Sequence, residues 1–590
     1  MNDRSSLIGF GILIALLVGY MFYSSQSEMK YRQQKLKDSV EYAKKHPKPL
    51  APPVKDSLPA KAAVVAQGDS LSATPEQLVT LENKDLSVTF TNKGGFAKQA
   101  ELKLFKTYDG KPLRVFTGEK NSLDFAFLNE QGSLVHSQQL TFTPMVSADK
   151  KSVTFQNPQL NVTYKLGNEG YLVDMEVGAA HVAKTRNIDV TWSSQAVLTE
   201  QDPASQQQYA QICYNLEKEG FDKYDIREKD NREFKEGVKW LCYKQHYFNT
   251  TLITENKIIT SARIATEPSL DTAKRTLNTM QAFLSVVPQD NLKFQWFAGP
   301  NDYKLLKSFN KELEEIIPLY YGIFGFVKYI NKWIIIPIFY GLAKVFSNYG
   351  VIILLLTVIL RILMSPFNYK SYVSSAKMKA LKPDLDALKE KLGDDRQAYG
   401  MEQMKLYREA GVNPLGGCLP ALLQLPVFFA LLSFFPHAIE LRQAKFLWSN
   451  DLSTYDTILN LPFDIPFYGN HVSLFTLLFV ITSLLVSLYS MNMSMGADQS
   501  NPMMKYMPFI MPIMFLGIFN KLPAALTFYY FVSNIITLGI QFVIQNYIID
   551  PDKIHAQIQA KRNEPPKENK LMKRMMEMQK QNEARMKNKK

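Results

Sequence analysis

One arginine inside a long apolar run has the most distinctive chemistry in this sequence. Arg361 interrupts the run VIILLLTVILRILM at residues 351–364. A charge in a membrane-spanning helix costs roughly 2.5–3.5 kcal/mol on insertion scales, so such a residue marks a functional site. Thr357 and Ser365 lie four residues before and after it, and therefore share one helix face with it. A guanidinium stays charged and donates several hydrogen bonds, which suits it to attract carboxylates.

A second polar pattern lies in the last apolar segment. Polar residues recur there every three or four positions and form a stripe on one helix face: Tyr530, Asn534, Thr537, Gln541 and Gln545. Gln424 adds an amide to another apolar segment. Because these segments contain no Asp or Glu, Arg361 needs water or carbonyl groups around it. The pattern predicts a wet cavity, reached from the cytosol and lined by these polar faces.

An alternative interpretation is that the polar side chains only join neighbouring helices through hydrogen bonds. It accounts for any lone serine, threonine or asparagine, but it accounts poorly for Arg361, which it leaves without a counter-ion. Methionines concentrate towards the predicted cytosolic side of the spans: Met364, Met491, Met493, Met495, Met503, Met504, Met507 and Met511. They favour a surface that accepts varied apolar partners, although core filling explains any one of them equally well.

Signatures of enzymes are absent from the sequence. It contains no P-loop, HExxH, GxSxG or dinucleotide fingerprint, and no Cys/His cluster with zinc spacing. We therefore predict no catalytic residue, metal or cofactor. A transporter would predict inverted repeats and paired intramembrane charges. A lipid-modifying enzyme that used Arg361 on a phosphate would need a nearby base or nucleophile. Neither pattern is visible.

Six apolar segments must position these residues, and they predict an α-helical polytopic membrane protein. They lie at 7–23, 349–367, 419–435, 472–490, 503–519 and 524–549. The first has no clear cleavage site after it, so we interpret 1–27 as a signal anchor rather than a cleaved signal peptide. The other five form a helical core at 349–549, which includes a polar helical hairpin at 369–415.

A large soluble region separates the first two spans. Proline-rich residues 28–80 predict a flexible linker. Residues 81–300 alternate with period two and carry glycine turns, which predicts a β-sandwich. Cys213 and Cys242 lie there, either as a disulfide or as two buried thiols. Residues 301–348 predict an amphipathic helix over 301–333 and a connector, and this helix is either interfacial or a plain link.

Positive charge sets the predicted topology. The net charge is +13, and lysines and arginines concentrate in the hairpin and in the basic tail at 550–590. The positive-inside rule places both segments, and hence both termini, in the cytoplasm, with 28–348 outside. The flanks of the first span alone would point the other way, because Arg4 precedes it while Lys30, Arg32, Lys35 and Lys37 follow. The basic excess favours anionic lipid and ribosomal RNA over DNA.

Short motifs recur in order between residues 349 and 549. They are Arg361 with Ser365-Pro366, Tyr372 with Ala376-Lys377-Met378, Pro383, LGDD at 392–395, NPLGGC at 413–418, QLPVF at 424–428, ELRQA at 440–444, and LTFYY at 526–530 with Ser533-Asn534. In this order they resemble the YidC/Oxa/Alb family of membrane protein insertases. The first span and the outer β-rich domain resemble, in architecture only, the Gram-negative form of that family.

The resemblance implies a non-enzymatic chaperone that inserts proteins into the inner membrane. It implies a cytosol-open groove at Arg361, to which Thr357, Gln424 and Tyr530 match and to which we add Asn534. We expect an apolar client to slide into lipid along the third and fifth spans, past Phe428, Met507 and Met511. A cytoplasmic loop with Tyr372 and Asp394 would capture it.

The resemblance also implies partners, namely nascent membrane proteins, the ribosome through the basic tail, and the Sec translocon. The outer loop at 459–470 is longer than the family pattern, which leaves only its detailed contacts in doubt.

Overall fold

The computed structural model describes residues 75–118, 120–226, 230–254, 258–267, 275–322, 324–392, 395–412, 419–465, 468–493 and 502–562. The predicted signal anchor, most of the predicted linker and the tail beyond residue 562 lie outside these residues. Of the described residues, 502–511 belong to one compact unit and the rest to another.

Alternating apolar residues form the strands of the outer domain, as the sequence predicts. Its strands are β1 Leu78–Glu82, β2 Leu86–Thr91, β3 Phe96–Lys106, β4 Pro112–Phe116, β5 Ser122–Leu128, β6 Leu134–His136, β7 Thr143–Val146, β8 Ser152–Gln156, β9 Asn161–Leu166, β10 Leu172–Gly178, β11 Ile188–Val197, β12 Gln211–Leu216, β13 Gly220–Asp225, β14 Asp230–Phe234, β15 Val238–Lys244, β16 Phe248–Thr254, β17 Ile259–Glu267, β18 Thr276–Val286 and β19 Asn291–Pro300. The short helix α1 Pro203–Gln208 follows β11, and Asp202 caps it by accepting a hydrogen bond from the Ala204 amide.

Two antiparallel sheets stack face to face, which confirms the predicted β-sandwich. One sheet runs β1-β2-β3-β4-β11-β18-β17-β14, with β5 on β11 and β6 on β5; the other runs β13-β12-β15-β16-β19-β10-β9-β8-β7. Aromatic rings from the two sheets meet between them: Phe90 lies 4.4 Å from Tyr164, and Phe116 lies 5.2 Å from Trp296. The apolar faces of both sheets therefore bury each other.

Cys213 and Cys242 are free buried thiols, which answers the question that the sequence left open. They lie directly opposite each other on the neighbouring strands β12 and β15. The Cys242 thiol donates a hydrogen bond to Asn249 Oδ1.

The single amphipathic helix predicted over 301–333 is wrong, because this segment is broken into short pieces. They are α2 Tyr303–Ser308, a 3₁₀ turn at Leu313–Ile316, α3 Val327–Ile330, a π-helical turn at Asn331–Ile335 and α4 Ile336–Ala343. Asn310 and Glu312 adopt left-handed backbone angles (φ 54° and 60°), and Pro318 follows, so the chain cannot continue as one helix there.

The five apolar segments after the first fold as helices that begin close to their predicted bounds. The helices are α5 Tyr349–Ala380, α6 Lys382–Leu392, α7 Arg396–Glu409, α8 Leu419–Phe434, α9 Leu474–Met493, α10 Pro502–Phe519, α11 Ala524–Val543 with a π turn Ile544–Ile548, and α12 Pro551–Arg562. Three of those described are long and apolar enough to cross a membrane, at Tyr349–Ala380, Leu474–Met491 and Ala524–Ile548, and two shorter apolar helices lie at Leu423–His437 and Pro508–Phe519. The hairpin β20 Leu459–Ile465 and β21 Gly469–Val472 fills the loop before α9.

The hairpin begins later than the predicted residue 369, because α5 runs on to Ala380. Pro366 lies inside this helix and cannot donate to the Ile362 carbonyl. The Ser365 hydroxyl donates to that carbonyl instead, at 2.9 Å. The helix therefore passes the proline with the freed acceptor satisfied, and the hairpin consists of α6 and α7.

Leucines of the hairpin pack in one buried cluster with residues at the start of the basic tail. A buried cluster joins α6, α7 and α12: Leu381, Leu385, Tyr407, Ala410, Val412, Ile554 and Ile558. The hairpin is therefore anchored by apolar contact to the helix that follows the last span.

The sandwich is fixed to the loop after α8 by buried polar contacts. Arg442 Nε donates to both Glu200 carboxylate oxygens, at 2.9 and 3.0 Å, and its Nη2 donates to the Thr199 carbonyl. His246 Nε2 donates to the Pro436 carbonyl at 2.8 Å. These contacts join residues far apart in sequence and set the position of the domain on the helices.

Candidate functional site around Arg361

Arg361 lies on α5 and points at α11. It is 9% exposed, and its Nε donates to Ser533 Oγ at 2.7 Å, with Nη2 donating to the same hydroxyl. Among the described residues no carboxylate pairs with it, and Tyr372, Tyr529 and Tyr530 lie near it. The guanidinium is held by a neutral hydroxyl, whereas the sequence predicted water or carbonyl groups around it.

Part of the guanidinium still reaches accessible surface. Ser533 accepts from only two of its nitrogens, and no nitrogen of Arg361 is both fully buried and unpaired within the described chain. A guanidinium offers more N–H groups than one serine can accept. The remaining N–H groups are thus available to water or to an incoming acceptor.

Several neutral polar groups lie unpaired beside the arginine. The hydroxyls of Tyr529 and Tyr530 and the side-chain amide of Gln424 are buried without a hydrogen-bond partner in the described structure. Leaving such a group unsatisfied costs about 1–3 kcal/mol, so these groups indicate water or a ligand between α8 and α11. Gln424 lies beside Tyr529, and both tyrosines lie within electrostatic range of Arg361. This set of residues, Arg361, Gln424, Tyr529, Tyr530 and Ser533, is called the polar cluster below.

Two predicted groove residues form bonds between or within helices instead. Thr357 Oγ1 donates to the Ile353 carbonyl one turn earlier on α5, at 2.6 Å. Asn534 Nδ2 donates to Ser483 Oγ at 2.7 Å and to Thr482 Oγ1 at 3.2 Å, both on α9. The Asn534 contacts are what the helix-joining interpretation predicts, whereas the Thr357 contact lies within α5.

Two other residues of the polar stripe on α11 also form hydrogen bonds. Gln541 Nε2 donates to Ser490 Oγ on α9 at 3.0 Å, and Thr537 Oγ1 donates to the Ser533 carbonyl at 2.7 Å. Gln541 therefore bonds α9, whereas Thr537 bonds within α11.

Two of the three side chains along which a client is expected to slide, Phe428 and Met511, lie within the described residues. Phe428 is half-buried on α8, with its ring 5.6 Å from Tyr530 and 6.3 Å from Phe519, so it borders the polar cluster. Met511 is exposed on α10, and the side chain of Met507 lies outside the described residues.

Tyr372 does not lie in a loop, contrary to the prediction. It is buried within α5 and packs against Ile544 near the end of the last span, because α5 continues past Pro366. Asp394 lies outside the described residues. The described residues contain no group of His, Cys, Asp and Glu that is arranged to hold a metal.

Ser533 and Tyr529 belong to a motif noted in the sequence, but the sequence patterns did not assign them to the site. Both precede by one position a residue of the predicted stripe, Tyr530 or Asn534. They are spaced four apart, so they form a face of their own beside that stripe. A search for the partner of Arg361 among hydroxyls at this spacing would have found them.

Comparisons with known proteins agree with this architecture. Two family models match, described as 60Kd inner membrane protein over residues 341–553 and YidC periplasmic domain over residues 78–339. The membrane protein insertase YidC of Amoebophilus asiaticus is 36% identical, with 96% of each chain covered. That of Parabacteroides distasonis is 33% identical, covering 98% of this chain and 97% of its own.

A solved structure described as an active YidC insertase also matches. It covers 81% of this chain and 96% of its own, at 20% identity and a TM-score of 0.34.

Proposed function

Because the chain belongs to the YidC family of membrane protein insertases, we propose that it inserts client segments through a polar groove centred on Arg361. Family membership makes it an inner-membrane insertase, which is a non-enzymatic role. The groove and its mechanism are the proposal.

The observation that carries the proposal is that, within the described residues, the Arg361 guanidinium has no carboxylate partner and keeps N–H groups that donate to no protein acceptor. A client's acidic residues, at the polar end that must cross the membrane, would be attracted to this charge. The unpaired groups on Tyr529, Tyr530 and Gln424 would solvate the same polar end in place of bulk water. The groove thereby shortens the distance over which polar groups travel without hydrogen bonds.

The apolar part of the client would leave the groove on the side of Phe428. This side chain is half-buried and lies against Tyr530, so it joins the polar cluster to apolar helix surface. We propose that the client passes along α8 and α10, including Met507 and Met511, into lipid. The driving force is burial of apolar area, and no nucleotide is consumed by this chain.

We further propose the orientation and partners that the charge pattern suggests. The hairpin and α12 would face the cytoplasm, with both termini, and the sandwich the periplasm. The buried cluster that joins the hairpin to α12 supports placing the hairpin and the tail on one side. Ribosomes at the basic tail, anionic lipids and the Sec translocon are the proposed partners, with DNA excluded.

Site-specific photocrosslinking tests the groove. A photoreactive residue at Gln424 or Phe428 should crosslink ribosome-bound nascent membrane proteins, whereas the matched exposed position Leu485 on α9 should not. Equal crosslinking at all three positions would contradict a defined path. No crosslinks, together with flux of small solutes in proteoliposomes, would favour a transporter.

A further inference from the structure

A second cavity lies far from Arg361, where the sandwich meets the helices. Its volume is about 560 Å³, which falls within the usual range of roughly 300–1,000 Å³ for ligand sites. Strands β12, β13 and β15 form one wall, and the connector at 314–322 forms another. Leu432 of α8 and Leu522 before α11 complete it. No residue of the polar cluster lines this cavity.

One wall of the cavity is cationic. Lys244 is 1% exposed, and its ammonium donates only to neutral acceptors, the Tyr209 carbonyl at 3.1 Å and Gln211 Oε1 at 3.4 Å. Lys223 also lines the cavity, and Asp225 lines the same wall, where it accepts a hydrogen bond from Gln211 Nε2 at 2.9 Å. Two lysines against one aspartate leave this wall with a net positive charge, which favours an anionic ligand group there.

The connector side of the cavity carries unpaired acceptors. Glu314 Oε2 is buried without a partner, whereas the neighbouring Glu315 is paired with Lys328 at 2.8 Å. His437 is 4% exposed, and its Nδ1 donates to the Ser433 carbonyl at 2.8 Å. In the neutral ring Nε2 is then an acceptor, and it too is buried and unpaired.

Two tyrosine rings lie near His437. The ring of Tyr209 lies 5.0 Å from His437 and stacks with one face on His246, and the ring of Tyr321 lies 6.3 Å from His437. Tyrosine faces attract cations, and a carboxylate with a neutral imidazole accepts N–H donors. This side therefore suits an ammonium group that can still donate hydrogen bonds.

We propose that the cavity binds a zwitterionic phospholipid headgroup, with its phosphate at Lys223 and Lys244 and its primary ammonium at Glu314 and His437. The two charged halves of such a headgroup match the two walls in sign. The site is separate from the Arg361 groove and does not depend on it.

The surroundings favour a lipid over a soluble or peptide ligand. The cavity wall continues in apolar side chains that lead to the membrane helices: Ile317, Pro318, Leu319, Leu432 and Leu522. The nearby helix that begins at Val327 exposes Tyr329 and Trp333, residues enriched at the membrane–water interface. A headgroup held in the cavity would thus have its acyl chains beside apolar surface.

Native mass spectrometry of the full-length, delipidated protein tests the site. Dioleoyl phosphatidylethanolamine should bind more tightly than dioleoyl phosphatidylglycerol, which has the phosphate but no ammonium. Glu314→Gln should weaken the ethanolamine lipid alone, by about tenfold, as expected for loss of one charge-assisted hydrogen bond. Lys223→Gln should weaken both lipids. Exposed Glu176→Gln and Lys293→Gln on the same sheet serve as matched controls.

Two binding results would overturn the proposal. The wild type would bind both lipids with equal affinity, or the cavity variants would bind both lipids as tightly as the control variants do. Displacement by soluble glycerophosphoethanolamine at comparable concentration would indicate a water-soluble ligand instead. Photocrosslinks from position 320 to a client's translocated segment, with none to lipid, would assign the cavity to clients. The two cavity substitutions act at opposite ends of the headgroup, so misfolding of one leaves the other as a test.

Discussion

The buried ion pair between Arg442 and Glu200 should hold the sandwich on the helices. The Arg442 side chain is 2% exposed and makes three hydrogen bonds, two to Glu200 and one to the Thr199 carbonyl. Arg442→Ala would leave the carboxylate buried without its partner, which typically costs 3–5 kcal/mol. Burial already raises the pKa of Glu200, so the carboxyl can take up a proton and limit this loss. We therefore expect a cost near the lower end, about 3 kcal/mol.

Hydrogen exchange of the full-length protein measures this cost directly. A loss of about 3 kcal/mol should speed exchange of peptides covering 196–200 and 438–446 by about two orders of magnitude. Adding Glu200→Gln to Arg442→Ala should produce little further change, because the two residues act as one unit. The exposed pair Arg186–Asp189 supplies the control, since Arg186→Ala should change exchange by less than about tenfold. Additive effects of the two substitutions, or unchanged exchange after Arg442→Ala, would refute the docking role.

Three further predictions concern buried groups. Burial raises the pKa of the Cys213 thiol to about 11, and Cys242 is buried beside it, so both thiols should resist alkylation at pH 8 until the protein unfolds. Rapid alkylation of the native protein would contradict their burial. Burial lowers the pKa of Lys244 from 10.5 to about 8, so between pH 8 and 10.5 the unfolded chain binds more protons than the folded protein, and the folding stability should rise with pH. Lys244→Met should remove this rise in thermal unfolding scans. If the rise persists in the variant, another group causes it. Asn534→Ala should lower the stability of the purified protein by about 1 kcal/mol without a specific loss of insertion; lost insertion at unchanged stability would return Asn534 to the groove.

Local patterns in the sequence predicted the elements well, because each pattern reports burial of one face. Period-two alternation located strands such as β2 at Leu86–Thr91, and apolar runs located α8 and α10 within one residue. The break at Asn310 and Glu312 was missed, since neither residue type requires a left-handed backbone. The continuation of α5 past Pro366 was also missed, because it depends on the Ser365 hydroxyl taking over a backbone acceptor.

The candidate site was predicted as a region more accurately than as a set of partners. Arg361 stood out because a charge in an apolar run is costly wherever it lies. Its partner Ser533 lies on another helix far along the chain, and helix periodicity alone does not say which polar face of α11 turns towards α5. The contact between Arg442 and Glu200 is equally distant in sequence, so no local pattern signals it.

Insertion of matched clients by Arg361 variants tests the central claim most directly. Two versions of one client, with an acidic or a neutral translocated end, would be inserted into proteoliposomes by the wild type, Arg361→Lys and Arg361→Ala. The account predicts that Arg361→Ala slows the acidic client by about tenfold and leaves the neutral client within about twofold, while Arg361→Lys retains most activity on both. Equal loss for both clients, or no loss for the acidic one, would contradict a groove that works by attracting acidic residues to Arg361.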